Sequence, residues 1–367
     1  MATPGFVSSV IENARRAALE QYATDERNGE TNMAGPRKAT AHDLAAMSFL
    51  SWAAYDSGGA TAWGNLQGSG WQVVGPANLG LPESAFDEGF YESGPAGALV
   101  AYKDGIVAIT IRGSEDPLDL ADAGFDQDGH FDELRILFDA VIDYIAGLPP
   151  GLVDQIYVSG HSLGGIMAEW FAYEYANNAD LLALDAEVTI ATFGSPGTNH
   201  GGASNDLVDS IVNIGHTQDS IYLRDYAGTA GFVREGDTTL EIIVPDEIAG
   251  VRGLDEHSAV LYQRSLSLLS ETSFLQRYLD VPNGRVLIAD SHVVKPETLL
   301  LNAGTLAGGL STLVAAGEGA DEVLGGPGED WIDGGLGQDS LFGFAGSDEL
   351  SGAGGADSLY GGTEADV

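Results

Sequence analysis

The sequence predicts an α/β domain followed by a C-terminal parallel β-roll of nonapeptide repeats, and three observations support this prediction. The apolar residues 153–159, the glycine-rich residues 160–165 and the helix-like residues 166–175 form a strand–turn–helix unit. The composition then changes near residue 300, because the chain has no basic residue after Lys295. From residue 316 onward, glycine, aspartate and an apolar residue recur with a nine-residue period.

Length and composition limit the possible functions. The 367 residues are 44% hydrophobic, which is enough for a large core, and we assign residues 1–300 to the α/β domain and residues 301–367 to the roll. The chain lacks cysteine, which excludes disulfides, thiol catalysis and zinc–thiolate sites. A formal net charge of −40 repels phosphate and argues against nucleic acid, whereas it favours divalent cations. No run of eighteen apolar residues predicts a transmembrane segment.

The turn at residues 160–164 has the form G-x-S-x-G, with Ser162 at its centre. At a sharp strand-to-helix turn of this kind, the backbone passes close to its neighbours, and glycine at 160 and 164 leaves out the Cβ atoms that would collide. The serine hydroxyl then projects beyond the sheet at the N-terminus of the following helix, where negative charge is favoured. We therefore predict Ser162 as a nucleophile.

A serine nucleophile needs a base and an acid, which follow it in the order acid, then histidine, in enzymes built on a G-x-S-x-G turn. His257 lies in a loop that leads into an amphipathic helix, and we predict it as the base. Asp219 follows the predicted strand 210–215, and we predict it as the acid. The weaker alternatives are Asp225 and Asp209 for the acid and His200, His216 and His292 for the base.

Two backbone N–H groups would stabilise an oxyanion formed by this serine. One is predicted at Leu163, directly after the nucleophile, and the other at Ser114, in the Arg112–Ser114 segment that ends the predicted strand 105–112. The segment 115–130 alternates apolar and acidic residues at the position expected for a lid. We expect a solvated acidic loop there in preference to a calcium site.

Each repeat approximates G-G-x-G-x-D-x-U-x, where U is apolar. The glycine turns expose backbone carbonyls and the aspartate adds a hard anionic oxygen, a combination that suits calcium. Between residues 316 and 367 there are twelve acidic and no basic side chains, so we expect the segment to fold only with cations. The predicted calcium ligands are Asp321, Asp330, Asp339, Asp348 and Asp357.

Winding the repeats into a roll places alternate copies on the same side. Asp330 should cooperate with Asp348, and Asp339 with both Asp321 and Asp357. The apolar U residues should be buried in short strands; they are Val323, Ile332, Leu341, Leu350 and Leu359.

Together these residues resemble the RTX lipases, which are calcium-dependent enzymes that Gram-negative bacteria export by type I (ABC transporter) secretion. The strand end at residues 112–114 is also similar to that of fungal-type triglyceride lipases. The resemblance implies an α/β-hydrolase domain with Ser162, Asp219 and His257 as the catalytic triad, followed by a calcium-binding β-roll. It also implies a lid and a secreted, extracellular protein. RTX lipases usually carry further chain after the repeats, so we expect the roll to be truncated at Val367.

From the sequence we expect a secreted carboxylic-ester hydrolase, a lipase or esterase that acts on acylglycerols or related esters through an acyl-enzyme. Phospholipase A1 and polyester or polyurethane esterase are alternatives with the same chemistry. A calcium-binding adhesion or matrix protein with an inactive hydrolase body is an alternative of another class. The expected partners are an ester substrate at an oil–water interface, calcium ions and the type I secretion machinery.

Overall fold

A long mixed β-sheet organises the protein in the computed structural model. The structure describes residues 35–55, 64, 66–114, 126–198, 205–219, 221–222, 236, 238–245, 257–280, 285–289 and 300–367. In this part of the chain, none of the helices is long and apolar enough to cross a membrane.

The helices mostly precede the repeats, whereas strands occur along the whole chain. The helices are α1 Ala41–Ala53, α2 Pro76–Leu79, α3 Gln127–Ala146, α4 Leu163–Glu174, α5 Ala179–Leu182, α6 Asp206–Asp209, α7 Ala259–Glu271, α8 Phe274–Asp280 and α9 Ala303–Leu306, with a 3₁₀ turn at Glu83–Ala85. The strands are β1 Gly35–Pro36, β2 Gln72–Val73, β3 Phe86–Asp87, β4 Phe90–Ser93, β5 Ala96–Lys103, β6 Ile106–Ile111, β7 Gln155–His161, β8 Glu187–Phe193, β9 Val212–His216, β10 Thr238–Ile243, β11 Val286–Ala289, β12 Leu300–Asn302, β13 Thr312–Ala315, β14 Glu318–Gly319, β15 Glu322–Gly326, β16 Trp331–Asp333, β17 Leu336–Gly337, β18 Ser340–Phe344, β19 Glu349–Ser351, β20 Gly354–Gly355 and β21 Ser358–Gly362.

The N-terminal part has the α/β-hydrolase architecture that the sequence predicts. Strands β3, β4, β5 and β6 pair antiparallel in turn, and β6, β7, β8, β9, β10 and β11 then pair parallel. Helices pack on both faces of the parallel region, so most residues of its central strands β7, β8 and β9 are buried.

Strand β7 shows how the two faces are filled. Ile156 and Val158 pack into the cluster that contains residues of α3 and α4, whereas Tyr157 points to the opposite cluster with residues of α1, α7 and α8. This alternation follows from the two-residue period of a strand. The turn that follows β7 is therefore fixed between two well-packed layers.

The repeats form a parallel β-roll, and the predicted β-roll is confirmed. Successive strands on one side are eighteen residues apart, as Val323 pairs with Leu341 and Leu341 with Leu359. Val323, Ile332 and Leu341 are fully buried, as predicted. Burial of Leu359 was predicted and is wrong: the residue is 46% exposed because it lies on β21, at the edge of its sheet.

One side of the roll is continuous with the sheet of the α/β domain. Strand β13 pairs parallel with β11, and β16 and β19 extend the same sheet. The opposite side forms a separate sheet in the order β12, β15, β18, β21. Backbone hydrogen bonds between β11 and β13 thus join the part of the chain before residue 300 to the roll. The first strand of the separate sheet, β12, begins at Leu300.

Candidate active site

Ser162 lies at a strained turn between β7 and α4. Its backbone has φ 59° and ψ −124°, a left-handed conformation that is uncommon for a residue with a side chain. The turn is tight because a Cβ at Gly160 would collide with the backbone of Gly164, and one at Gly164 would collide with the carbonyl of Ile111. The N–H of Ser162 donates to the carbonyl of Phe193 at 2.8 Å, which fixes the turn against β8.

The predicted acid and base are in contact. Nδ1 of His257 lies 2.7 Å from Oδ2 of Asp219, and both side chains are buried. The other oxygen of Asp219, Oδ1, accepts from the N–H groups of Ile221 and Tyr222 at 2.7 and 3.1 Å. The hydroxyl of Tyr262 donates to Oδ2 at 2.7 Å. Asp219 is thus held by donors on both oxygens.

This environment keeps Asp219 ionised. Burial acts to raise the pKa of its carboxyl group, but the hydrogen bond and charge of His257 and the donors at Tyr262 and Tyr222 outweigh burial and lower the pKa below its usual range. An ionised Asp219 accepts the proton on Nδ1 of His257, which leaves Nε2 of that ring as the basic nitrogen.

The base lies next to the turn that carries the serine. The ring centroid of His257 is 4.6 Å from that of His161, the residue before Ser162. Ser162 Oγ and His257 Nε2 are both buried, and neither has a hydrogen-bond partner among the described residues. Both atoms are therefore free to bind another polar group.

The two predicted oxyanion donors lie on either side of this turn. Ser114 follows β6, whose last residue Ile111 pairs with Gly160. A Cβ at Gly113 would lie 3.0 Å from the Cβ of Ser162, so this strand end passes directly over the predicted nucleophile. Leu163 is the first residue of α4, where the N–H groups have no acceptor within the helix.

The remaining candidates for the acid and base fall into two groups. His216 is buried, and its ring stacks on that of Tyr262 with 3.9 Å between the ring centroids. Its Nε2 lies 3.0 Å from Ser265 Oγ, so the contacts of this histidine are those of a packed core residue. Asp209 ends helix α6. The other three lie outside the described residues; they are His200, Asp225 and His292.

The predicted lid is described only at its end. Residues 115–125 lie outside the described part of the chain. Helix α3 begins at Gln127, and Asp126 caps it by accepting from the N–H of Gly129 at 3.0 Å. Including residues 127–130 in a lid loop was therefore wrong, because they form the first turn of a helix whose His130 is buried.

The repeat aspartates stack along the roll at intervals of eighteen residues. Oδ1 of Asp348 accepts from the N–H of Asp330 at 2.9 Å. Oδ1 of Asp339 accepts from the N–H of Asp321 at 2.8 Å, and Oδ1 of Asp357 accepts from that of Asp339 at 3.1 Å. Each turn of the roll is therefore linked to the next through one carboxylate oxygen.

The second carboxylate oxygens fit a hard cation. Oδ2 of Asp339 and of Asp348 is buried and has no hydrogen-bond partner among the described residues. Burial raises the pKa of both carboxyl groups, and the charges of neighbouring aspartates raise it further. Because the described residues contain no group of three or more His, Asp or Glu side chains placed to hold a metal ion, backbone carbonyls would have to complete each calcium site.

Models of two known families match separate segments of the chain. The model of the family "Lipase (class 3)" matches residues 152–221, and that of the "RTX calcium-binding nonapeptide repeat" matches residues 307–341 and 342–367. The chain thus has one segment similar to class 3 lipases and one similar to RTX calcium-binding repeats, and the two matches together cover less than half of it. The class 3 lipase match includes the turn at Ser162 and ends two residues after Asp219.

Solved structures with a similar fold include an extracellular lipase, LipA, from Serratia marcescens, with 20% identity and a TM-score of 0.48. The match covers 83% of this chain and 55% of that lipase, so the chain spans little more than half of its length. A lipase from Rhizopus microsporus var. chinensis has 16% identity and a TM-score of 0.41, with 57% of this chain and 77% of that one covered. No curated protein matches the chain in sequence.

Proposed function

We propose that this protein is a secreted lipase, a serine carboxylic-ester hydrolase whose RTX repeats bind calcium. The observation that supports this proposal best is the buried Asp219–His257 hydrogen bond of 2.7 Å beside the strained turn at Ser162. A serine, a histidine and an aspartate in this relation are the parts required for acyl transfer.

In the proposed reaction, Ser162 Oγ attacks the carbonyl carbon of the ester while Nε2 of His257 takes the hydroxyl proton. The carbonyl π electrons move to oxygen, and the N–H groups of Ser114 and Leu163 stabilise the resulting oxyanion. When the oxyanion collapses, the C–O bond to the alcohol breaks and His257 returns the proton to the leaving alkoxide. Water then attacks the acyl-enzyme and gives a proton to Nε2 of His257. His257 returns that proton to Ser162 Oγ as the C–O bond to the serine breaks and the carboxylic acid leaves.

Asp219 has an electrostatic and orienting role in this mechanism. It holds the proton of His257 on Nδ1, so that Nε2 faces the reaction as a base, and its charge stabilises the imidazolium that forms. The hydrogen bond and charge of His257, together with the donors at Tyr262 and Tyr222, lower the pKa of Asp219, so the carboxylate is ionised at neutral pH.

Calcium would be held by the aspartates of the roll, Asp321, Asp330, Asp339, Asp348 and Asp357, together with backbone carbonyls of the glycine turns. When bound, it supplies positive charge between buried carboxylates. The repeats also support the proposal that the protein is secreted by type I export, since the calcium sites would fill outside the cell.

The experiment is a comparison of ester hydrolysis by the wild type and by Ser162→Ala, with Ser159→Ala as a matched control. Ser159 is a buried serine on β7, the strand that leads into the turn; its Oγ lies 3.2 Å from Thr110 Oγ1, and it has no role in the proposed reaction. We expect Ser162→Ala to lose about 10⁴-fold or more of the activity and Ser159→Ala to keep most of it. Retention of more than a few per cent of activity by Ser162→Ala would exclude Ser162 as the nucleophile.

The substrate class is tested with soluble p-nitrophenyl esters of increasing chain length, emulsified triacylglycerol, phospholipid vesicles and a polyester film. Preference for emulsified triacylglycerol supports a lipase. Preference for the other two would identify a phospholipase A1 or a polyesterase, and calcium binding without hydrolysis would favour an adhesion or matrix protein.

A further inference from the structure

Tyr55 occupies a position between the two halves of the proposed active site. It follows α1, and its hydroxyl oxygen lies 2.7 Å from Nδ1 of His161 and 3.1 Å from the N–H of Gly113. His161 precedes the proposed nucleophile and Gly113 precedes the proposed oxyanion donor at Ser114. One side chain, more than a hundred residues earlier in sequence than Ser162, therefore contacts both parts of the site.

The directions of these hydrogen bonds follow from the donors available. Because the N–H of Gly113 can only donate, the Tyr55 oxygen accepts it, and the single hydroxyl proton is left for another acceptor. Nδ1 of His161 at 2.7 Å is a better acceptor than the carbonyl oxygen of His161 at 3.4 Å. Burial raises the pKa of Tyr55 well above its usual range, so the hydroxyl keeps its proton.

An Nδ1 that accepts a hydrogen bond places the ring proton of His161 on Nε2. Nε2 of His161 is buried and makes no hydrogen bond within the described part of the chain, so the contact with Tyr55 sets the tautomer. Burial and the neighbouring charge of His257 lower the pKa of His161 well below its usual range, so the ring is neutral. The titratable groups that surround it come from three places in the chain: the end of α1 (Tyr55), β9 and the turn after it (His216 and Asp219), and the start of α7 (His257 and Tyr262).

Neutrality at His161 matters to the proposed reaction. The ring of His257 lies 4.6 Å away and becomes positively charged each time it accepts the proton of Ser162. A second imidazolium at this distance, away from water, would oppose that charge. A neutral His161 instead offers an uncharged surface against which the catalytic ring packs.

The contact with Gly113 acts on the other half of the site. A Cβ at Gly113 would collide with the Tyr55 hydroxyl and would lie 2.6 Å from the carbonyl oxygen of His161, so glycine is required for this approach. The preceding residue, Arg112, is fixed by two 2.8 Å hydrogen bonds to Glu92. With Arg112 and Gly113 both held, the backbone at Ser114 has little freedom to move away from the nucleophile.

We propose that Tyr55 and His161 are positioning residues of the hydrolase: Tyr55 keeps His161 in its neutral Nε2–H form beside His257 and holds the strand end that carries the oxyanion donor. This proposal rests on the function proposed above. Neither residue touches the reacting atoms, and both act through groups that do.

The test compares Tyr55→Phe with the wild type, with Tyr91→Phe as the matched control. Tyr91 is also a buried tyrosine of this domain, and its hydroxyl donates to the carbonyl of Glu133 at 2.9 Å. We expect Tyr55→Phe to lower kcat about tenfold with KM changed less than about twofold, since an oxyanion donor acts in the transition state. An alkyl boronic acid, which forms a tetrahedral adduct with a serine nucleophile, should bind more weakly by a similar factor.

A second measurement is independent of catalysis. In protein with ¹⁵N-labelled histidine, the NMR signals of His161 should report the neutral Nε2–H form across the pH range in which the protein is active. A predominant Nδ1–H form, or unchanged kcat and boronate affinity in Tyr55→Phe, would overturn the proposal. A loss in Tyr91→Phe as large as that in Tyr55→Phe would also overturn it, because the effect would then be structural. If the wild type hydrolyses no ester, the proposed function fails, while the NMR result still tests the tautomer.

Discussion

The substitution Asp339→Asn should change the stability of the protein in opposite directions with and without calcium. An asparagine keeps the shape of the side chain and the Oδ1 that accepts from the N–H of Asp321 at 2.8 Å. It removes the negative charge of Oδ2, which is buried and has no hydrogen-bond partner in the described part of the roll. The substitution therefore separates the structural role of this residue from its charge.

The magnitudes follow from linkage. Calcium that binds the wound roll but not the unfolded repeats stabilises it by RT ln(1 + [Ca²⁺]/Kd), about 2.7 kcal/mol per site at a hundredfold excess over Kd. A variant that loses one site should lose about that amount. Without calcium, burial and the charges of Asp357 and Asp333 raise the pKa of Asp339, so its ionised form costs stability at neutral pH and asparagine removes that cost.

The assay is urea unfolding followed by far-UV circular dichroism, in saturating calcium and in chelator. Asp366→Asn is the control, because it makes the same chemical change at the edge turn of the roll, where it should matter less. We expect Asp339→Asn to be less stable than the wild type in calcium and slightly more stable in chelator. A shift of the same sign and size under both conditions would refute a calcium role for this carboxylate.

Three further outcomes are expected. His257→Ala should lose as much ester hydrolysis as Ser162→Ala, whereas His216→Ala should retain far more activity per folded molecule. If both histidine variants lost the same activity per folded molecule, His257 could not be assigned as the base. Tyr262→Phe removes a hydrogen-bond donor to the charged Asp219 and should lower the free energy of unfolding by about 1.5–3 kcal/mol at neutral pH. Urea unfolding in saturating calcium measures this change, and an unchanged free energy would contradict the 2.7 Å hydrogen bond. In chelator, the stability of the roll should rise as the pH falls towards about 4. The pKa values of Asp339 and Asp348 are raised in the folded roll, so protonation of these carboxyl groups favours the folded state, and this contribution is lost as the pH rises. Protease digestion over that pH range would detect it, and stability that only falls on acidification would contradict it.

The features predicted correctly from the sequence are those with a local pattern. The strand, turn and helix around Ser162 appear as consecutive residues, and β7 and α4 enclose them in the structure. The nonapeptide period likewise gives the register of the roll directly, since alternate copies pair eighteen residues apart. The roles of Asp219 and His257 were predicted from chain order and loop position and stay predictions; their side chains lie 2.7 Å apart.

Contacts between residues far apart in the chain could not be predicted, because they have no local sequence pattern. Tyr55 contacts His161 across 106 positions and Tyr262 contacts Asp219 across 43, and a lone tyrosine after a helix or within one carries no signal in a single sequence. The pairing of β11 with β13 was also missed, because two short apolar strands do not indicate which sheet they will join. The exposure of Leu359 depends on the position of its strand in the sheet and not on its place in the repeat.

The central claim is that Ser162 is a nucleophile activated by His257, and covalent labelling tests it most directly. Wild-type protein, Ser162→Ala and His257→Ala would be treated with a fluorophosphonate, and the modified residue mapped by mass spectrometry of the digested protein. We expect one phosphonyl group per wild-type chain, located on Ser162, none on Ser162→Ala, and much slower labelling of His257→Ala. Labelling at another serine, or equal labelling of Ser162→Ala, would contradict the account.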